Sequence, residues 1–161
     1  MTEREQLFEE KYDLYNQMVY NIAFSYLKDY NDALDVMQES FLGFYNANKT
    51  FKTLNDEKYY LIRIVINNCK TLLKKNKKHF LLDEEVLDAL KEDSKIEDLK
   101  VIDMIQVLKP IYKEVIILIY VENMSNKEVA AALNISEANV RKRHERALKT
   151  LREHWELKMW K

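Results

Sequence analysis

Arginine, lysine and amide side chains near the C-terminus recur at spacings that place them on one side of a helix. The outward positions of this predicted helix are occupied by Asn139, Arg141, Lys142, Arg143, Glu145 and Arg146. Arginine can hydrogen-bond bidentately to guanine, and each of the cations attracts phosphate. This pattern predicts a surface that binds DNA through both base contacts and charge.

The residues before this helix predict the element that positions it. Ser125 and Glu128 have the spacing of a capping box, which opens a short helix. Asn134 suits the left-handed conformation that ends a helix, Ile135 fills the turn, and Ser136 can cap the basic helix. A helix, a short turn and a second helix with a basic outer face are typical of a helix-turn-helix, whose second helix enters the major groove.

A second set of polar side chains follows one stripe of a long helix, predicted from Glu57 to about Lys78. Its members are Arg63, Asn67, Lys70, Lys74, Lys77 and Lys78. Residues three, four and seven positions apart share a helix face, so these cations project together. Residues 46–56, just before this helix, have no clear period and are predicted to form a loop.

Charge is close to balanced overall but strongly segregated along the chain. Residues 1–48 carry a net charge of −6, residues 49–80 +7, residues 81–105 −6 and residues 106–161 +4. Two basic blocks separated by an acidic one indicate two polyanion-facing surfaces joined by a segment that avoids them. The alternative is a set of solvated helix faces whose charges cluster by chance.

Groups suited to catalysis or cofactor binding are scattered. The three histidines, His79, His144 and His154, lie far from the single cysteine, Cys69, and do not have metal-ligand spacing. Gly43 is the only glycine, which excludes a phosphate-binding loop and a dinucleotide fingerprint. We therefore expect no enzyme activity, no metal and no cofactor. Cys69 and His144 are each predicted to be packing residues.

Apolar stripes at helical spacing run through most of the chain, and one glycine and one proline in 161 residues leave few breakers. We predict an all-α fold of two small helical domains, residues 1–78 and 101–161, joined by an acidic linker at 79–100. Thr2 with Glu5 is a capping box, and Asn31 is the predicted cap of the second helix. A lone cysteine and the lack of a long apolar run favour a cytoplasmic protein without a membrane span.

Three segments of the sequence resemble a known family. The stretch DALDVMQESFLGFY resembles the Asp-Ala-x-Asp-x-x-Gln-x-x-Phe core of bacterial sigma-70 factors, specifically of the extracytoplasmic-function (ECF) group. YYLIRIVINNCKTLLKK resembles the adjoining segment, with Tyr60 at an aromatic position and Asn67 matched. Thr71 replaces the usual aspartate there and Lys74 the usual arginine. LKPIYKEVIILIYVENMSNKEVAAALNISEANVRKRHERALKTL resembles the C-terminal signature, region 4.

The resemblance implies a non-catalytic factor that binds core RNA polymerase, through the β′ clamp helices and the β subunit, and reads promoter DNA. Contacts to the clamp helices are implied for Asp32, Asp35, Gln38 and Glu39. A pocket at Lys49 to Asp56 would hold an extruded base of the −10 element, and the implied −10 residues are Phe51, Lys52, Asn55, Arg63, Asn67, Lys70 and Lys74. The implied −35 residues are Ser136, Asn139, Arg141, Lys142, Glu145 and Arg146. The family also implies an anti-sigma partner.

Two other interpretations remain open at this point. A standalone helix-turn-helix regulator would bind a palindrome as a dimer and would not need polymerase. An all-helical module that binds only protein would keep its activity after charge reversal of Lys70, Lys74, Arg141 and Arg146.

Overall fold

A computed structural model describes residues 2–80 and 98–159, and these two ranges are helical throughout apart from caps and short connections. In the first range the helices are α1 (Glu3–Leu27), α2 (Tyr30–Ala47) and α3 (Leu54–Phe80). In the second they are α4 (Asp98–Ile105), α5 (Pro110–Ile116), a π-helical turn (Ile117–Val121), α6 (Asn126–Leu133) and α7 (Glu137–Met159). No strand occurs in either range, and the predicted all-α fold is confirmed. Most of the predicted linker, residues 81–97, lies outside the described residues.

The start of α2 differs from the prediction. Lys28 ends α1 in the left-handed conformation, with φ 54°, and Asp29 then adopts an extended backbone. The Asp29 carboxylate accepts a hydrogen bond from the Asp32 backbone N–H at 2.9 Å, so Asp29 is the cap and the predicted cap, Asn31, was wrong. Asn31 lies inside the first turn. The capping box of Thr2 and Glu5 at the start of α1 is confirmed.

The loop between α2 and α3 is shorter than the predicted 46–56. Helix α2 continues to Ala47 and is ended by Asn48 in the left-handed conformation, with φ 48°. Helix α3 begins at Leu54 rather than Glu57, because the Thr53 hydroxyl accepts the Asp56 backbone N–H at 3.1 Å. The predicted base-binding loop therefore includes the first turn of a helix.

Helices α1, α2 and α3 pack on one another around a shared apolar core. The fully buried side chains here include Val19, Ile22, Tyr26, Val36, Leu61, Ile62, Val65 and Ile66. Helix α3 is buried on more than one side, because α6 packs on it in addition to α1 and α2. Ile62, Ile66 and Cys69 of α3 are buried as well.

The apolar segment after Pro110 is helical, but it is not one uniform helix. Pro110 lies in the first turn of α5, where its missing N–H costs nothing. The backbone then widens into the π-helical turn, in which the N–H of Glu122 donates to the carbonyl of Ile117 at 3.2 Å. Ile117 and Leu118 are buried in this turn.

The helix-turn-helix is present with the predicted caps. Ser125 and Glu128 form the capping box of α6, and Asn134 ends α6 at φ 57°. The Ile135 N–H then donates to the Ala130 carbonyl at 3.0 Å. The Ser136 hydroxyl accepts the Asn139 N–H at 3.1 Å and so caps α7.

The two described ranges form one packed body. We refer to α1–α3 as the N-terminal group and to α4–α7 with the π-helical turn as the C-terminal group. Helix α1 packs on the π-helical turn, and α3 packs on α6. Buried residues of both groups belong to one continuous apolar core. No pattern in the sequence indicated this contact between the groups.

Candidate nucleic-acid interface

The basic side of α7 is exposed to solvent. The exposed residues are Asn139, Arg141, Lys142, Glu145 and Arg146, whereas Val140 and Ala147 on the opposite side are fully buried. Arg141 lies 3.8 Å from the Glu137 carboxylate, a surface pair that leaves its guanidinium half exposed. Side chains that could reach base edges and phosphates thus project from the second helix of a helix-turn-helix.

Arg143 does not belong to this exposed surface, and its predicted outward position was wrong. Its side chain is 25% exposed, and its Nη1 lies 3.8 Å from Oε1 of Glu114. Position 143 follows Val140 by three residues and precedes Ala147 by four. This spacing places Arg143 beside the buried side of α7, and it was a signal available in the sequence.

His144 is half-buried next to Arg143, which confirms its prediction as a packing residue. Its Nε2 lies 2.8 Å from the Tyr120 hydroxyl, and the two rings meet edge to face. The contact joins the π-helical turn to α7. It therefore supports the orientation of the basic helix.

The predicted polymerase-binding residues lie together on α2. Asp35, Gln38 and Glu39 are exposed, and Asp32 is half-buried at the start of the helix. Leu42 is 52% exposed and lies seven residues after Asp35, on the same face. An exposed leucine beside two carboxylates and an amide is suited to a protein partner rather than to DNA.

An aromatic cluster surrounds the loop between α2 and α3. The Phe51 ring lies 5.3 Å from the Tyr60 ring and 6.3 Å from the Phe44 ring, to which it is nearly parallel. The Lys49 ammonium lies 4.7 Å from the Tyr60 ring centroid. Sequence reasoning selected Phe51 as a base contact but did not select Phe44 or Tyr60, which lie on the flanking helices.

Lys52 and Asn55, the polar residues predicted for the same pocket, are both exposed. Lys52 lies in the loop, and Asn55 lies in the first turn of α3. The structure therefore places cationic and amide groups on the same short segment as the Phe51 ring. Such a combination can stack a base and hydrogen-bond its edge.

Some residues of the basic stripe of α3 are exposed to solvent, and others contact the C-terminal group. Asn67 and Lys74 are exposed. Arg63 donates from Nη1 to the backbone carbonyls of Ala131 and Ala132, at 3.1 Å and 3.2 Å. The Lys70 Nζ lies 2.7 Å from Oε2 of Glu114.

Burial shifts the pKa values of two ionisable side chains near this stripe. Desolvation raises the pKa of the Cys69 thiol to about 12, although Lys113 acts in the opposite direction. Burial also raises the pKa of the Tyr26 hydroxyl, and the nearby Glu114 adds to that effect. Cys69 is fully buried, as a packing residue should be.

Within residues 2–80 and 98–159, no group of three or more His, Cys, Asp or Glu side chains is arranged to hold a metal ion. None of the helices described is both long enough and apolar enough to cross a membrane.

In the described ranges, an all-helical fold with a capped helix-turn-helix and a separate basic and aromatic surface is typical of DNA-binding proteins. Comparison with known families agrees along most of the chain. Residues 12–79 match the family described as Sigma-70 region 2, and residues 98–151 match Sigma-70, region 4. The chain belongs to the sigma-70 family of RNA polymerase sigma factors, in its ECF group.

Individual relatives are similar over nearly their whole length. The chain is 31% identical to RNA polymerase sigma factor SigV of Bacillus subtilis, over 86% of this chain and 84% of the relative. It is 29% identical to ECF RNA polymerase sigma factor SigX of the same organism, over 95% of this chain and 86% of the relative. The resemblance inferred from the sequence is confirmed, and the protein is a transcription initiation factor that directs core RNA polymerase to promoters.

Solved structures share the fold. The chain superimposes on CnrH, solved in complex with the cytosolic domain of CnrY, with a TM-score of 0.71 and 22% identity, over 95% of this chain and 90% of that one. It superimposes on RpoE of Bartonella quintana, solved with the anti-sigma factor NepR, with a TM-score of 0.65 and 19% identity, over 91% of this chain and 94% of that one.

Proposed function

We propose that the two helical groups recognise different elements of the promoter. Residues 1–78 bind core polymerase and capture the −10 element, residues 79–100 connect the groups, and residues 101–161 read the −35 element. The observation that carries this proposal is the exposed row of Arg141, Lys142 and Arg146 on a capped second helix. Cations on a recognition helix have both the charge and the hydrogen-bond donors that a major groove requires.

The α2 face is the proposed contact with the β′ clamp helices of polymerase. Asp35, Gln38 and Glu39 supply the charge and hydrogen-bonding groups, Asp32 adds to them at the start of the helix, and Leu42 supplies apolar area. Charged residues at a protein interface govern encounter and orientation, and a partly exposed leucine gains from burial. A further contact with the β subunit belongs to the same proposal.

The aromatic cluster of Phe51, Phe44 and Tyr60 supports capture of an unpaired −10 base. A flipped base stacks on an aromatic ring, and stacking contributes about 1–3 kcal/mol per base. Lys52 and Asn55 are exposed on the same segment and can hydrogen-bond the edge of the base. The stripe of α3 then follows the strand through Arg63, Asn67, Lys70 and Lys74.

The −35 contact divides into phosphate and base contacts along α7. Ser136 and Asn139 lie at its N-terminus, where the partial positive charge of the helix dipole favours a phosphate. Arg141, Lys142, Glu145 and Arg146 lie on the following two turns. Promoter opening breaks no covalent bond. The free energy for strand separation comes from binding of the unpaired bases and from polymerase. We therefore propose no catalytic role and no cofactor.

An anti-sigma protein is the proposed regulatory partner. The support is that RpoE, which has the same fold, was solved in complex with the anti-sigma factor NepR. CnrH was likewise solved with the cytosolic domain of CnrY. The standalone dimeric regulator and the module that binds only protein are not favoured, because the relatives that cover most of this chain are polymerase sigma factors.

The proposed α2 interface can be tested by binding to purified core polymerase. Asp35→Lys and Glu39→Lys reverse charges within the face, and Glu10→Lys makes the same change at an exposed position of α1. We expect the two α2 variants to bind core polymerase at least roughly tenfold more weakly than the unmodified chain, and Glu10→Lys to bind normally. Equal binding by all three variants would remove α2 from the interface.

A further inference from the structure

Helix α1 contacts the chain just before and just after the loop that carries Phe51. We refer to residues 48–53, which connect α2 and α3, as the base loop. Within the base loop Phe51 is half-buried and the other side chains are exposed. A segment with so little buried surface is held largely by the helix ends on either side of it.

Arg4 of α1 holds the helix end that precedes the base loop. Its Nη2 donates to the Tyr45 carbonyl at 2.8 Å, and its guanidinium carbon lies 4.1 Å from the centroid of the Tyr45 ring. The same carbonyl accepts the N–H of Asn48, the first residue of the loop, at 3.2 Å. Carbonyls in the last turn of a helix lack donors within the helix and carry partial negative charge, which favours a cation there. The Arg4 contact therefore fixes the point from which the base loop starts.

Glu57 connects α1 to the first turn of α3, which follows the base loop. Its Oε1 accepts the Tyr15 hydroxyl at 2.8 Å and lies 2.9 Å from Nζ of Lys11. The Glu57 side chain is 12% exposed, so this ion pair is largely shielded from water. Burial raises the pKa of the Tyr15 hydroxyl, and Glu57 adds to the effect, so the hydroxyl stays a donor at neutral pH.

The residues of α1 that make these contacts form one stripe. Arg4, Lys11 and Tyr15 are separated by seven and four positions, so they share a face of the helix. Phe8 lies on the same face, and its ring meets the Tyr45 ring edge to face at 4.9 Å. A single helix thus sets the position of the end of α2 relative to the start of α3.

The groups of the predicted −10 pocket depend on that relative position. Phe44 lies in the last turn of α2, and Phe51 lies on the base loop. Asn55 and Tyr60 lie in the first two turns of α3. A site that discriminates between ligands must hold its groups to within about 0.5 Å. A shift of either helix end would separate the stacking rings from the polar groups that read the edge of the base.

We propose that Arg4, Lys11 and Tyr15 are positioning residues for capture of the −10 base, acting on the pocket through α2 and α3 and not on the base itself. Their loss should reduce discrimination between bases, while the exposed cations of α3 still attract phosphate. This inference rests on the proposed role of the base loop in capturing an unpaired base.

Selection from randomised DNA separates positioning from general stability. Each variant is bound to core polymerase, and the complex selects from a randomised single-stranded library and, separately, from a randomised duplex library too short to span both promoter elements. Sequencing gives the enrichment of the preferred base over the other bases at each position. The single-stranded arm reports on the base pocket, and the duplex arm reports on the −35 contact.

Tyr15→Phe and Arg4→Gln remove the two contacts separately. Each should lower the enrichment at the most strongly selected single-stranded position about fivefold, the effect expected from one lost hydrogen bond, and leave the duplex enrichment unchanged. Tyr12→Phe is the matched control, because it removes a hydroxyl from a side chain of α1 that is 41% exposed, and it should change neither arm.

Two substitutions of Glu57 supply a conservative comparison at the other partner of the contact. Glu57→Gln keeps an acceptor for the Tyr15 hydroxyl, whereas Glu57→Ala keeps none. We therefore expect Glu57→Ala to lose more single-stranded enrichment than Glu57→Gln. Circular dichroism establishes that each variant is folded, and this pair replaces Tyr15→Phe if that variant is not.

Two results would overturn the positioning role. One is single-stranded enrichment in the folded variants equal to that of the unmodified chain. The other is an equal loss in the duplex arm, which would indicate general damage to the fold. Failure of the proposed function looks different, because the unmodified complex would then select no sequence from the single-stranded library. That outcome would remove the base pocket and, with it, the role of α1.

Discussion

Arg63 of α3 donates a hydrogen bond to the backbone carbonyl of Ala131, 68 residues further along the chain, at 3.1 Å. The same Nη1 atom lies 3.2 Å from the Ala132 carbonyl. Both carbonyls are in the last turn of α6, the first helix of the helix-turn-helix, where helix carbonyls lack internal partners and carry partial negative charge. One side chain of the N-terminal group thereby caps the element that supports the recognition helix.

Replacing Arg63 should lower the free energy of unfolding. Arg63→Gln shortens the side chain and removes its charge, which leaves the carbonyls of Ala131 and Ala132 without their donor. We expect a loss of about 1 kcal/mol, or roughly 2–4 °C in the thermal midpoint. Differential scanning calorimetry measures it. Lys75→Gln, at an exposed position of the same helix, is the control and should leave the midpoint unchanged.

The Cys69 thiol should be unreactive in the folded free chain. It is fully buried, and burial raises its pKa to about 12, so almost no thiolate forms at pH 8. Ellman's reagent should therefore label less than about a tenth of the chains within an hour under native conditions, and all of them in guanidinium chloride. Rapid labelling of the native chain would contradict the buried position of Cys69.

Glu122 should make stability depend on pH. Burial raises the pKa of this carboxyl, and Lys58 opposes the shift. A carboxyl with a higher pKa in the folded chain contributes stability that is complete below its unfolded pKa and is lost as the pH rises through its folded pKa. Among the described residues, its Oε1 is buried without a hydrogen-bond partner.

Glu122→Gln imitates the protonated carboxyl and should remove this dependence. We expect its thermal midpoint to exceed that of the unmodified chain by about 2 °C at pH 7.5, and the difference to shrink as the pH falls towards about 4, close to the ordinary pKa of glutamate. Thermal melts across this pH range measure the difference. A lower midpoint for the variant at pH 7.5 would mean that the ionised carboxylate stabilises the fold.

The basic residues of α7 should differ in the kind of contact that they make with DNA. Arg146→Ala should cost about 1–3 kcal/mol of promoter affinity if the guanidinium reads a base, and the loss should depend on sequence. Lys142→Ala should weaken binding to all sequences alike and reduce the salt dependence by about one phosphate contact. Titration of the polymerase complex with −35 duplexes at several salt concentrations distinguishes the two.

Arg152→Ala is the matched control for the recognition surface. Arg152 is exposed on the same helix, beyond the residues assigned to the −35 contact. Loss of the Arg152 side chain should leave both the affinity for −35 duplexes and the salt dependence of that affinity close to those of the unmodified chain. An effect as large as that of Arg146→Ala would indicate that general charge, rather than the arrangement on the recognition helix, determines binding.

The elements that depend on local chemistry could be predicted from the sequence. The capping boxes at Thr2 and Ser125 and the left-handed Asn134 lie where the spacing placed them, because each of these features is fixed by a few neighbouring residues. Asp29 was missed as a cap because Asp29 and Asn31 are chemically similar. What distinguishes them is the left-handed backbone of Lys28, which the sequence does not specify.

The contacts between distant elements could not be predicted in this way. Lys70 has the composition of a solvated basic surface, and only its ion pair with Glu114 of α5 shows that it is not fully exposed. Phe44 and Tyr60 lie on different helices, and the loop bearing Phe51 brings them together. Side chains that meet across the fold leave no periodic signal in the sequence.

Run-off transcription on genomic DNA with purified core polymerase, followed by mapping of start sites, measures whether the chain directs polymerase to promoters. We expect discrete start sites that are absent with core polymerase alone. Each should follow two shared sequence motifs at a fixed separation, and the sites should be lost when Lys142 and Arg146 are both replaced by alanine. Start sites no different from those of core polymerase alone, or unaffected by that replacement, would contradict it.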